Sequence, residues 1–306
     1  MRSYQAVFKG EGVDTRVINM ISAVVLTWNS ARYIEKCLGS LAVDAHRTGI
    51  RLELFVVDGG SSDGTQEVLS RLAQEIPGLR TIQLKKNLGT TVSRNIAIRE
   101  SRGEYVLILD SDTEILPGAL GALCRVLEGA PRAGIAAPRL FYPDGSIQPS
   151  CKRFPTAPLK ICKFAPVSLV QRLGEKAELY LREVYSKGFD ETVRVDHCIS
   201  ACWLVRREAI EAVGLLDERI FYAPEDVDYC LRMWLAGWEV LYVPSAEVVH
   251  HTQRRSHKSL RMAWVHAKGL LYYFRKHRYW LSRRSLYHQI SRAAEQHGVQ
   301  PPFGLS

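Results

Sequence analysis

The sequence predicts an α/β fold: a doubly wound, mainly parallel sheet with helices on both faces, followed by a basic helical C-terminal tail. Three observations lead there. Strand-like runs alternate with amphipathic stretches over the first 110 residues. Those runs are nearly apolar along their whole length, as strands buried on both faces must be. Beyond residue 250, cations and aromatics replace the balanced composition of the body.

Taken in order, "ISAVVLTW" (21–28) is a β-branched strand, with Asn29 and Ser30 as a cap before the helical spacing of "ARYIEKCLGSL". "LELFVVD" (52–58) ends in the turn "GGSSDGT", and "TQEVLSRLAQEI" follows as a second helix bounded by Pro77. "TIQLKK" gives a third strand, "TTVSRNIAIRES" a third helix and "EYVLILD" a fourth strand. Seven prolines between residues 131 and 166 predict loops and short strands. After a helical stretch over 169–184, "ACWLVR" and "WEVLYV" read as strands, and "EDVDYCLRMWLAG" as a helix ended by Gly237.

With 306 residues and 46% hydrophobic content, the chain has ample material for a core. No run is long and apolar enough for a membrane span, and residues 1–19 lack the apolar segment of a secretory signal, so a cytoplasmic location is expected. The seven cysteines follow no metal-finger spacing and read as reduced, buried thiols; Cys198 and Cys202 alone form a weak C-x3-C pair. The net charge of +9 is local: from His251 onward, eleven Lys and Arg face one acid, Glu295, while the first 250 residues are near neutral. That distribution argues for a local contact rather than a nucleic-acid-coated surface.

In a parallel sheet, ligands lie beyond the carboxyl ends of the strands, which places Thr27, Asp58 and Asp110 on one rim. Asp110 and Asp112, at i and i+2 beyond a strand, have the hard oxygen ligands that a divalent cation takes. For any single acid, a turn-forming role is equally natural. Glu225 and Asp226 follow Pro224 at a helix N-terminus, where carboxylates are also stabilised by unpaired amides.

Five segments in order resemble the family 2 glycosyltransferases of the GT-A fold, rhamnosyltransferase-like members above all. They are "AVVLTWNSARYIEKCLGSL", "VVDGGSSDGT", "NLGTTVSRNIAIRESRGEYVLILDSD", "FYAPEDVDYCLRMWLAG" and "AEVVHH". The resemblance implies a GT-A domain over 20–250, with a nucleotide-binding half (20–115) and an acceptor half (116–250), flanked by the extension 1–19 and the tail 251–306. It implies a nucleotide-diphosphate sugar donor and a glycan or lipid-linked acceptor. By position, Thr27, Asn29 and Asp58 would line the nucleotide pocket, Arg94 and Asn95 would stand beside the diphosphate, and Asp110 would face the ribose or sugar. Asp112, with His250 rather than His251, would bind Mg²⁺ or Mn²⁺. Asp226, paired with Glu225, would be the base of an inverting transfer. Arg232 would contact the nucleotide base or pair with Asp226, and Trp28 would stack on the base or simply pack.

Ser200 stands where the family commonly has glycine, so its Cβ is expected to crowd the approach of sugar or acceptor. The Q-x-x-R-W signature of processive synthases is missing, which implies one sugar per encounter. The tail admits three readings: contact with an anionic membrane surface, packing on the domain, or dimerisation through Leu270, Leu271, Tyr272 and Phe274. His266, His277 and His288 read as surface residues, and the oligomeric state stays open. A nucleotidyltransferase is the alternative within this sheet class, although no glycine-rich loop follows the first strand; a nucleic-acid binder ranks below both.

Overall fold

The computed structural model describes residues 20–163, 182–185, 188–252 and 260–302. The chain begins β1 (Ile21–Thr27), α1 (Ile34–Thr48), β2 (Leu52–Asp58), α2 (Thr65–Glu75), β3 (Leu79–Gln83), α3 (Thr90–Glu100) and β4 (Tyr105–Asp110). β1 pairs in parallel with β2 and β4, and β2 with β3, so all four carboxyl ends open on one rim. The expected cap on the first helix is not formed. Asn29 turns into the left-handed region at φ 51°, and no side chain caps α1. The Ser30 carbonyl instead accepts the amides of Tyr33 and Ile34, and the helix starts at Ile34.

The second half continues with β5 (Thr113–Ile115), α4 (Ala119–Gly129), β6 (Ala133–Phe141), β7 (Ile147–Gln148), β8 (Cys151–Lys152), α5 (Ala157–Lys163), β9 (Val193–Arg194) and β10 (His197–Cys198). Then come β11 (Cys202–Arg206), α6 (Arg207–Val213), α7 (Glu225–Leu235), β12 (Glu239–His250), α8 (Leu260–His277) and α9 (Arg284–His297). The long sheet runs β3-β2-β1-β4-β11-β6-β12-β5. β11 runs against both its neighbours, while β6 and β12 share the direction of β1–β4.

Where prolines predicted loops, β6 is a nine-residue strand in the middle of this sheet. Pro138 fits because β11 pairs only with Ile135 and Ala136, and because the register of β12 shifts just beyond its pairing with Pro138. The helical stretch expected over 169–184 lies outside the described residues, apart from a 3₁₀ turn at Arg182–Tyr185. The extension 1–19 also lies outside them.

Alternate residues of each strand feed two cores. One face of the sheet buries Leu38 of α1, Leu72 of α2 and Leu123 of α4. The other buries Ile98 of α3, Ile210 of α6 and Trp234 of α7, and Tyr273, Phe274, Leu286 and Ile290 of the tail helices belong to that same core. Leu270 and Phe274, offered by the sequence as a dimer face, are therefore turned inward. Among the described residues, no helix is long and apolar enough to cross a membrane.

Candidate active site

At the rim, β4 ends in Asp110 and the chain turns immediately into β5, so Asp112 is brought beside His250, the last residue of β12. One ligand atom from each of Asp110, Asp112 and His250 lies within 4.8 Å of the others. His250 Nε2 stands 3.5 Å from Asp112 Oδ1, while its Nδ1 is 3.0 Å from Gln148 Oε1. An amide oxygen can only accept, so Nδ1 carries a proton; Nε2 donates to Asp112 when the ring is protonated and, when the ring is neutral, has a lone pair for a cation held there. A cation held there would find two carboxylate oxygens and one imidazole nitrogen, a donor set suited to Mg²⁺ or Mn²⁺. Burial disfavours charge on His250, but the hydrogen bond to Asp112 and the charges of Asp112 and Asp110 outweigh it and raise its pKa. His251 points elsewhere, to Glu114. Gln148 had no sequence signal: its role depends on a two-residue strand meeting the far end of the chain.

Arg94, 1% exposed, ties this group to the second acidic motif. Its Nη2 donates to Asp110 Oδ1 at 2.7 Å and to the Ser200 carbonyl at 3.0 Å, and its Nη1 donates to Ser200 Oγ at 2.8 Å. Ser200 Oγ then donates to Glu225 Oε1 at 2.9 Å, which lies 3.6 Å from Arg94 Nη1. Ser200 thus points into this network, and its side chain bridges the two motifs. Glu225 is buried and Asp226 half-buried, the latter accepting the Val227 amide at 2.8 Å. Burial first, and then the charge of Asp226, push the Glu225 carboxyl up to about 8. Burial also raises Asp226, against the pull of the Val227 amide and of Lys152, Lys160 and Arg94. A carboxylate raised in this way is a stronger proton acceptor than one in water.

The nucleotide side of the rim is built from the turn after β2. Asp58 is fully buried, accepting from Ser61 and from Gln66 Nε2, and so shapes that turn. Asn29 Oδ1 accepts the Ser62 amide, stitching the ends of β1 and β2 together. Thr27 is 1% exposed, and its hydroxyl has no hydrogen-bond partner among the described residues. Trp28 remains 43% exposed at the edge of this rim.

Two expected binding residues lie apart from the group. Asn95 is buried with its amide committed to Leu216 and Glu218, so it braces the loop after α6. Arg232 bonds Asp228 and the carbonyls of Val213 and Leu215, pairing with Asp228 rather than with Asp226. His277 is not a surface residue: its Nε2 lies 2.8 Å from Asp228 Oδ1. Cys198 lies 3.4 Å from Cys151, sulfur to sulfur, and all seven cysteines are free thiols.

Residues 22–214 match the model of glycosyl transferase family 2. The N-acetylglucosaminyl-diphospho-decaprenol L-rhamnosyltransferase of Mycobacterium tuberculosis is 32% identical over 245 residues, 76% of this chain and 76% of its own length. The mannosyltransferase PcManGT from Pyrobaculum calidifontis, solved with GDP-Man and Mn²⁺, aligns with a TM-score of 0.61 and 19% identity, covering 96% of this chain and 78% of that one. GalNAc-T7, solved with UDP, GalNAc and Mn²⁺, aligns at 0.59 and 15% identity over 92% of this chain, which spans only 58% of that neighbour. At such identities, the two structures speak for the fold, and it is the GT-A fold. The family match over more than half of the chain, and the rhamnosyltransferase likeness over most of it, set aside the nucleotidyltransferase and nucleic-acid alternatives: the chain belongs to glycosyltransferase family 2 and is a glycosyltransferase.

Proposed function

We propose that the chain transfers one sugar per encounter, L-rhamnose by analogy with its mycobacterial relative, from a nucleotide diphosphate to a hydroxyl of a lipid-linked glycan precursor at the cytoplasmic face of a membrane. The transfer inverts the anomeric centre. In a single displacement, a carboxylate must take the acceptor proton on the face opposite the leaving diphosphate. Asp226 is that base: it is half-buried, its pKa is raised, and Glu225 beside it retains a proton up to about pH 8. Holding Glu225 neutral keeps a second negative charge away from the base at neutral pH.

Asp112, Asp110 and His250 would hold Mg²⁺ or Mn²⁺, which when bound supplies Lewis-acid neutralisation of charge on the diphosphate. Arg94 orients Asp110 toward this group, and Gln148 fixes the tautomer of His250. The turn after β2 and the exposed face of Trp28 give the nucleotide its place on the rim. One observation carries the reading: a single buried guanidinium, Arg94, reaches both Asp110 and Glu225, so the donor-side and acceptor-side acids face a common centre.

The test is sugar transfer, or nucleoside diphosphate release from a panel of nucleotide rhamnoses, with nucleotide binding measured by calorimetry in Mn²⁺. Asp226→Asn should lower turnover by roughly 10²–10⁴-fold while nucleotide affinity is retained. Asp112→Ala should instead weaken Mn²⁺-dependent nucleotide binding. Wild-type turnover in Asp226→Asn removes Asp226 from its role, and undiminished Mn²⁺-dependent affinity in Asp112→Ala removes the metal assignment.

A further inference from the structure

Beside the acceptor half lies a group of exposed apolar side chains ringed by cations, which sugar transfer alone does not explain. α5 meets the linker between α8 and α9 through a bond from the Ala157 amide to the Trp280 carbonyl, at 2.8 Å. Around that junction, Ile161 is 71% exposed, Leu281 78% and Trp280 39%. Trp280 is held from beneath by stacking on the buried Phe274, with ring centroids 5.3 Å apart. Each leaves apolar area in water that burial would remove, and several together mark a contact surface.

The cations are arranged around the same junction. A recess of about 580 Å³ is lined by Thr156, Leu281, Ser282, Arg283, Arg284 and Tyr287. Toward the protein interior, Lys152, Lys160 and Arg283 all act on the buried His197, and Lys152 and Lys160 also act on Asp226. The positive strip therefore reaches from the recess to the neighbourhood of the base.

We propose that Ile161, Trp280 and Leu281, with Arg283 and Arg284 between them, seat the enzyme on an anionic phospholipid bilayer with its acceptor side toward the lipid. An interfacial tryptophan, aliphatic side chains that enter the acyl boundary and arginines at headgroup height form the usual combination for such a contact. A nucleic-acid surface would need the cations without the aliphatic residues. The proposal rests on the lipid-linked acceptor reading and adds where the chain meets the lipid.

The test is co-sedimentation of the full chain with phosphatidylglycerol–phosphatidylcholine vesicles and with phosphatidylcholine vesicles. The wild type should pellet with the anionic vesicles, less so as salt rises. The Ile161→Asp/Leu281→Asp double variant should lower its partition roughly tenfold or more, and Arg284→Gln should lower it severalfold on anionic vesicles only. All three chains should turn over nucleotide rhamnose equally without vesicles. A wild type that stays in the supernatant, or a double variant that pellets as well as the wild type, overturns the docking face even where turnover is normal. Vesicle binding without any turnover would overturn the transfer reading and leave this one standing.

Discussion

Arg94 donates to Ser200, and Ser200 donates to Glu225, so one buried serine hydroxyl accepts from a fixed cation while holding a carboxyl of raised pKa. The sign of the resulting pH dependence follows from the direction of that shift. Glu225 binds its proton more tightly in the folded chain than in the unfolded one. The stability it lends is fully present below its ordinary value of 4.5 and is lost as pH rises through about 8. Thermal melts of metal-free protein should therefore show the wild type losing stability between about pH 4.5 and about pH 8 more steeply than Glu225→Gln, which cannot ionise. Parallel slopes would place the titration elsewhere. Ser200→Ala should cost about 1–3 kcal/mol by leaving a buried Arg94 donor without its acceptor, measurable as a lower urea midpoint at unchanged slope. A Ser200→Ala midpoint equal to the wild type would show that this bridge is not formed.

α7 carries Glu225 and Asp226, and the tail helices hold it at both ends and in the middle. At the N-terminal end, a Cβ on Gly269 of α8 would fall 2.1 Å from the Ala223 carbonyl oxygen. At the other end, Gly237, at φ 72°, lies so close to His297 of α9 that a Cβ would fall 2.1 Å from its ring. Between them, Asp228, 1% exposed, accepts from Lys276 at 2.6 Å and Arg232 at 3.0 Å and pairs with His277. Lys276 also reaches Asp217, which lies in the loop leading to α7. Gly269→Ala forces α8 and the segment before α7 apart. It should cost about 1–3 kcal/mol from overpacking, and lower kcat with nucleotide affinity nearly unchanged, because the donor side is built from β1, β2 and β4. An unchanged kcat would separate the tail from the placement of Asp226. The sequence showed the acids of this element but not its supports. Asp110, Asp112, Glu225 and Asp226 stand out through the ordered motifs that hold them, since an acid alone at a strand or helix end serves equally as a turn former or cap. The partners of Asn95 lie in the loop between α6 and α7, more than 100 residues away, which no local pattern encodes, whereas Arg232 adds the carbonyls of Val213 and Leu215 to a partner, Asp228, that helical spacing does offer.

For the whole molecule, the alternation of strand and helix made the first 110 residues readable, since each β-α unit is a local repeat of one physical pattern. β6 escaped because Pro138 is a sheet breaker everywhere except beside a register shift, and register is a property of two strands. The tail's composition left packing on the domain as one of three readings, and its inward face completes the core. Tyr273, Phe274, Tyr279, Leu286 and Ile290 are each less than 5% exposed and share one core with Trp203 and Trp234. At about 1.5–3 kcal/mol for each buried side chain, these five contribute on the order of 10 kcal/mol, comparable to the net stability of an ordinary domain. A chain ended after Thr252 would uncover that face of the sheet and leave Asp228 without Lys276 and His277. It should be recovered as aggregate, or melt far below the full chain with loss of the near-ultraviolet signal of its buried tryptophans. If the shortened chain instead melts cooperatively near the full-length temperature and binds nucleotide, the tail is an appendage and the domain ends with β12.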